Sequence, residues 1–217
     1  MKLFTTFLIA AAALSAAPIT TQVKLVNAGS PSDIVSKVTI DGDSKYNVYI
    51  GPYTLSLNGQ NTAAMCIDFF DTSNVGDTWS AYVTQVGSSN LSSTYHPSFG
   101  QEYEEEAYLF SQITQSGADR TGLQEAAWDI TAYGITNSSY KYLIGDNSYI
   151  DAALANYNKI NLSGFEIISD TVAGSEQEFI VCTPEPASLL LLGMGLLVAF
   201  GAAGWQRRNR TALMPAR

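Results

Sequence analysis

Apolar and polar positions alternate in short runs along the first half of the chain. The segments 22–27, 34–40, 47–58, 63–70 and 79–86 are rich in β-branched and aromatic residues and predict strands. Asp41-Gly42-Asp43 and Asn58-Gly59 supply the residues that hairpin turns need. The period then changes. Over 102–115 the residues Tyr103, Ala107, Phe110 and Ile113 recur at helical spacing, Thr121 opens a second helix running to about Tyr133, and a third covers 149–157. Two further strands, 164–169 and 178–182, close the pattern. The expected class is mainly β, an antiparallel sheet or barrel with a helical insertion, in one domain over residues 18–182 because no repeat or low-complexity linker interrupts it.

The two ends of the chain break this pattern. Lys2 precedes an apolar stretch from Leu3 to Leu14 and the small residues Ser15-Ala16-Ala17, which read as a secretory signal peptide over residues 1–17. At the other end nineteen uncharged residues, Ala187 to Trp205, form a run that as a helix is roughly 28 Å long, close to the ~30 Å hydrocarbon core of a bilayer. Arg207, Arg208 and Arg210 follow it and Pro184-Glu185-Pro186 precede it, so the basic tail of residues 206–217 is oriented to the cytoplasm and the domain to the outside. Charge sharpens the contrast. Between the two segments six basic residues stand against twenty acidic ones, leaving −14, which disfavours a nucleic-acid partner by repulsion and favours solubility outside the cell.

The order of parts in residues 183–217, a Pro-Glu-Pro triplet, one span and an arginine cluster, resembles the PEP-CTERM sorting signal of Gram-negative bacteria. That resemblance implies recognition of Pro184, Glu185 and Pro186 by exosortase, a membrane-embedded cysteine protease. It implies export through the inner membrane and delivery to the cell surface or the extracellular polymer. Two details depart from the common pattern: Cys182 sits just before the motif, and Thr211 to Arg217 trail after the arginines.

Candidate chemistry is sparse. The single histidine, His96, lies in a Tyr-His-Pro loop, and Gly-x-Ser-x-Gly, Cys-x-x-Cys and glycine-rich phosphate motifs are missing, so hydrolase, zinc and nucleotide readings lack their parts. Cys66 stands out, in Met65-Cys66-Ile67-Asp68 on an expected strand, with Leu123-Gln124-Glu125-Ala126-Ala127-Trp128 some sixty residues on at a helix start. Together these segments resemble the internal thioester domains of Gram-positive surface adhesins, although Met65 replaces the aromatic residue usual before the cysteine. The resemblance implies that Cys66 and Gln124 condense with loss of ammonia and that the product acylates an amine on a target surface. Trp128 would pack one turn along the helix and Asp68 would lie beside the cysteine. A helix N-terminus offers donors for the oxyanion, and Glu125 or Glu104-Glu105-Glu106 offer a proton acceptor.

Three alternatives stand beside that reading. Thr121-Gly122-Leu123-Gln124 is also a capping box, in which Gln124 only reaches back to the Thr121 backbone. Two cysteines in an exported domain allow a Cys66–Cys182 disulfide. A relative of the thioester fold that has lost the bond would hold a plain thiol. Elsewhere, Asp71 to Asp77 gathers oxygen ligands about a turn, a weak calcium signal against a polar loop. Glu104-Glu105-Glu106 reads as a solvated helix face. Tyrosines 46, 49, 53, 82, 103 and 108 either line a sugar-binding surface or pack at sheet edges. The expectation is an exported protein, not an enzyme, that acts by attachment, through an amine-bearing ligand or as a carbohydrate-binding matrix module, with no cofactor.

Overall fold

The computed structural model describes residues 18–137 and 147–183. Six strands close into an antiparallel barrel: β1 (Ile19–Asn27), β4 (Tyr53–Leu57), β5 (Gln60–Cys66), β8 (Phe179–Cys182), β7 (Phe165–Asp170) and β6 (Thr78–Gln85), in that order around the wall. Two more strands, β2 (Ile34–Ile40) and β3 (Asp43–Tyr49), pair only with each other as a separate ribbon. Helices α1 (Gly100–Ile113), α2 (Arg120–Tyr133) and α3 (Asn147–Asn156) fill the connection between β6 and β7. The signal segment 1–17, the expected span 187–205 and Arg207, Arg208 and Arg210 lie outside the described residues. Among the described residues no helix is long and apolar enough to cross a membrane.

Side-chain alternation divides the core in two. One set points into the barrel, where Leu25 faces Leu55, Ala64 faces Val181 and Cys66 faces Phe179 across paired strands. The other points outward from β5, β7 and β8, where Met65, Ile167 and Ile180 meet Leu109, Phe110, Leu123 and Ile130 of the helices. Strands covered on both sides are apolar at nearly every position, as in Phe179-Ile180-Val181, whereas β1 buries only alternate residues.

Both expected hairpin turns are present, and each needs a left-handed backbone. Asp41 and Gly42 have φ of 48° and 88° between β2 and β3, and Asn58 and Gly59 have φ of 48° and 89° between β4 and β5. The segment 47–58, read as one strand, is two: β3 ends at Tyr49 and β4 starts at Tyr53, because Gly51, at φ 68°, turns the chain out of the ribbon and into the barrel wall. The ribbon is strapped along α2. Arg120 at the helix start pairs with Asp33 at 3.3 Å, and the Tyr133 hydroxyl at its end accepts from the Asp41 N–H at 3.0 Å.

The acidic run of α1 is not a solvated face. Glu105 and Glu106 are fully buried, because α1 is covered by α2, α3 and β8. Gln101 donates to Glu105 at 2.7 Å, and neither Glu106 oxygen has a partner. Glu178 is also buried and accepts from Ser169, the Tyr95 N–H and Tyr103. Burial raises Glu105 and Glu178 to about 7 and Glu106 well above its ordinary 4.5. The folded state therefore keeps protons that the unfolded chain has released above about pH 4.5. Stability should be greatest below that pH, fall as pH rises to about 7 through Glu105 and Glu178, and be lower at pH 7.5 than at pH 5. Urea midpoints across that range check this, and a midpoint that rises with pH would refute it.

Gly122 shows how closely α2 and α3 approach. A Cβ there would meet the Tyr149 ring at 2.5 Å and the Asp119 carboxylate at 2.8 Å. Gly122→Ala should therefore destabilise the domain by about 1–3 kcal/mol despite its better helix propensity, read as a lowered thermal midpoint.

Candidate functional site

Cys66 is the last residue of β5, and Gln124 lies in the second turn of α2. The two meet in the core, both at 0 % exposure, and the Gln124 Nε2 donates to the Cys66 carbonyl at 2.5 Å. Gln124 is thus not a helix cap. The N-cap is Asp119, whose carboxylate accepts from the Gly122 N–H at 3.2 Å and whose carbonyl accepts from the Leu123 N–H at 3.1 Å. The same bonds engage two of the donors that the helix start had offered for an oxyanion. The Gln124 Oε1 is buried without a partner, a condition that costs about 1–3 kcal/mol.

The segment leaving β5 is held carbonyl by carbonyl. Gln124 bonds to Cys66, the Thr131 hydroxyl donates to the Ile67 carbonyl at 2.5 Å, and the Gln177 side-chain amide donates to the Asp68 carbonyl at 3.0 Å. The Cys66 S–H donates to the same Asp68 carbonyl at 3.0 Å. The Asp68 carboxylate accepts from the Phe70 N–H at 2.8 Å, which ends the strand earlier than the expected 63–70. Burial raises that carboxyl to about 6, with the Phe70 N–H opposing. Trp128, 1 % exposed, enters the end of the barrel and packs edge-to-face on Phe69 at 5.4 Å. Thr131 and Gln177 are the positioning residues that sequence reasoning missed. A threonine two turns beyond Gln124 on one helix face was the available signal for the first; Gln177 carried none.

The electrostatics favour a thiol. Burial and the Asp68 charge push Cys66 up to about 12, against the Trp128 indole, the Asp68 backbone and the Lys45 ammonium. Any reaction of this sulfur at neutral pH thus depends on approach, not on a standing thiolate. Among the residues considered as proton acceptors, Glu105 bonds to Gln101, and Glu104, Glu106 and Glu125 have no hydrogen bond to Cys66 or Gln124.

The disulfide expectation is overturned. Both cysteines are free, and the register pairs Cys66 with Phe179 and Cys182 with Phe165. Cys182 is three residues beyond Phe179, so it points to the opposite face of the wall from Cys66, roughly 10 Å along the strand. In the Asp71 to Asp77 loop the Asn74 backbone and side-chain amides both donate to the Asp77 carboxylate, at 2.7 and 3.1 Å. Among the described residues no group of three or more His, Cys, Asp or Glu is arranged to hold a metal ion. His96 stacks on Phe99 at 4.4 Å in its loop.

At the far end, β8 runs straight towards the C-terminal motif. The Thr183 N–H donates to the Gly164 carbonyl at 2.8 Å and its hydroxyl to Glu166 at 3.0 Å, so the chain is fixed to the barrel up to the residue before Pro184. No curated protein and no solved structure matches the chain. Residues 183–210 match the family described as the PEP-CTERM protein-sorting motif, so the chain carries a C-terminal sorting signal that implies export, membrane anchoring and processing by exosortase.

Proposed function

We propose that this exported chain is a surface or extracellular-matrix attachment protein in which Cys66 and Gln124 join as an internal thioester. The observation that carries the reading is the meeting of a buried thiol and a buried carboxamide from two distant segments, with Nε2 of one on the carbonyl of the other at 2.5 Å. The half-satisfied Gln124 amide supports it, since a buried carbonyl oxygen without a donor calls for an explanation beyond packing.

In the condensation, the Cys66 Sγ attacks the Gln124 Cδ. The new bond is Sγ–Cδ, the Cδ–Nε2 bond breaks, and the thiol proton leaves with the amide nitrogen as ammonia. A target amine then attacks Cδ, forms an amide, and returns the sulfur to a thiol with the amine's proton. Full burial excludes water and so preserves the acyl group until a ligand or a local opening admits the amine. The function is attachment, one event per molecule, not turnover. Freshly exported protein should be lighter than its sequence mass by one ammonia, as read by intact-mass spectrometry. Full sequence mass with two titratable thiols would reduce Gln124 to a structural tie between α2 and β5.

A further inference from the structure

A cleft of about 440 Å³ opens between β3 and the loop that follows β5, lined among others by Lys45, Tyr46, Tyr49, Tyr53, Asn74 and Gln177. That volume lies within the range of small-ligand sites. It takes in three of the tyrosines singled out in the sequence, and neither the sorting motif nor the Cys66–Gln124 pair uses them. We infer that this cleft is a binding site for a neutral saccharide, with the Tyr46 and Tyr49 rings as stacking platforms.

Exposure is the first reason. Tyr46 is 67 % and Tyr49 37 % exposed, while Tyr53 is buried at the base and donates from its hydroxyl to the Tyr49 carbonyl. Large rings left in water on one wall are unusual for residues that pack well, and a tyrosine face suits the C–H face of a sugar while polar groups beside it suit its hydroxyls. The site is also built before any ligand arrives. The Lys37 ammonium lies 5.6 Å from the Tyr46 ring centre and steadies it. Lys45 donates to the Asp71 carbonyl and to the Thr72 hydroxyl, which ties the ribbon wall to the loop wall, and Gln177 bonds to Ser73 across the loop. Walls fixed in advance lower the ordering cost of binding.

Charge selects among sugars. The lining contains no carboxylate, the Lys45 ammonium is already engaged, and the exported region's −14 repels polyanions. A neutral glycan fits and an acidic one does not. The free edge of β3 is a second feature that recognition could use, because a two-stranded ribbon leaves one side of each strand unpaired. Asn47 interrupts that edge with φ 54°, in the middle of the run, so a regular ladder with an added peptide strand is disfavoured while single backbone donors and acceptors remain for hydroxyls.

The test is affinity electrophoresis of the full chain in a polyoxyethylene detergent, through native gels containing dextran, hydroxyethyl cellulose or galactomannan, with polygalacturonate as the anionic comparison. Retardation is expected in at least one neutral gel and not in polygalacturonate. It should weaken at least tenfold in Tyr46→Ala and in Tyr49→Ala, and persist in Tyr46→Phe. On the unmodified protein, an oligosaccharide of the retarding polymer should protect Tyr46 and Tyr49 from nitration by tetranitromethane, located by peptide mapping. No retardation in any neutral gel, or retardation without protection of these rings, overturns the assignment.

Discussion

Cys66→Ala should abolish methylamine incorporation and restore the full sequence mass of the exported protein, and Gln124→Met should do the same. In the unsubstituted chain the adduct should map to Gln124, because that residue supplies the acyl carbon and Cys66 is the leaving group. Both residues are fully buried, so labelling should be slow in the native protein and faster in urea concentrations that loosen the ribbon over α2. Samples must be fresh and near neutral pH, since an exposed thioester hydrolyses. The variants also separate chemistry from packing. In protein that has kept the Gln124 carboxamide, Gln124→Met leaves the Cys66 carbonyl without its donor, a cost of about 1–3 kcal/mol that shows as a lowered thermal midpoint; in the thioester form Nε2 has already left as ammonia and that cost does not arise. Loss of the adduct and of the mass deficit, by contrast, belongs to the thioester alone. Unsubstituted protein at full mass that takes up no methylamine even in urea would end the proposal.

Glu185→Ala should leave membrane insertion intact and stop processing, so that uncleaved chain accumulates in the inner membrane of a host that has exosortase. The expected span of residues 187–205 and the arginines after it are untouched, and only the triplet within the matched residues 183–210 changes. Thr183 is bonded to Gly164 and Glu166 at the end of the barrel, which leaves little slack between the folded domain and the triplet. Recognition therefore has to occur close against the domain, and the carboxylate between two rigid prolines is the one charged group the triplet presents. Fractionation followed by immunoblotting for the C-terminal tail reads the outcome. Release of a tail-less form from the variant at the normal rate would show that the triplet is not what exosortase reads here.

Local pattern made much of the fold legible. Segments with period-two alternation became strands, the shift to helical spacing marked α1 and α2, and Asp41-Gly42 and Asn58-Gly59 turned where only a left-handed backbone would do. Glu105 and Glu106 read as solvated because charge implies a wet face along a single helix, and no local pattern reveals that a third helix and a strand close over them. The break at Gly51 had a local signal in the Gly51-Pro52 pair, which reading 47–58 as one strand passed over; which partner each half finds was not local.

The candidate site follows the same division. By itself the sequence carried the sorting signal, since Pro184, Glu185, Pro186, the apolar run and the arginines form a local pattern within residues 183–210 that needs no tertiary contact. It also singled out Cys66 and Gln124 as candidates, while leaving a cap, a disulfide and a plain thiol consistent with the spacing. Only the tertiary structure removed the cap and the disulfide. Strand register set Cys66 and Cys182 on opposite faces of the barrel wall, and the docking of α2 on the end of β5 turned Gln124 inward to the Cys66 carbonyl. Such contacts join residues far apart in the chain. They are fixed by the closure of the barrel and the burial of its two cores together, a property of the whole fold that no single segment encodes.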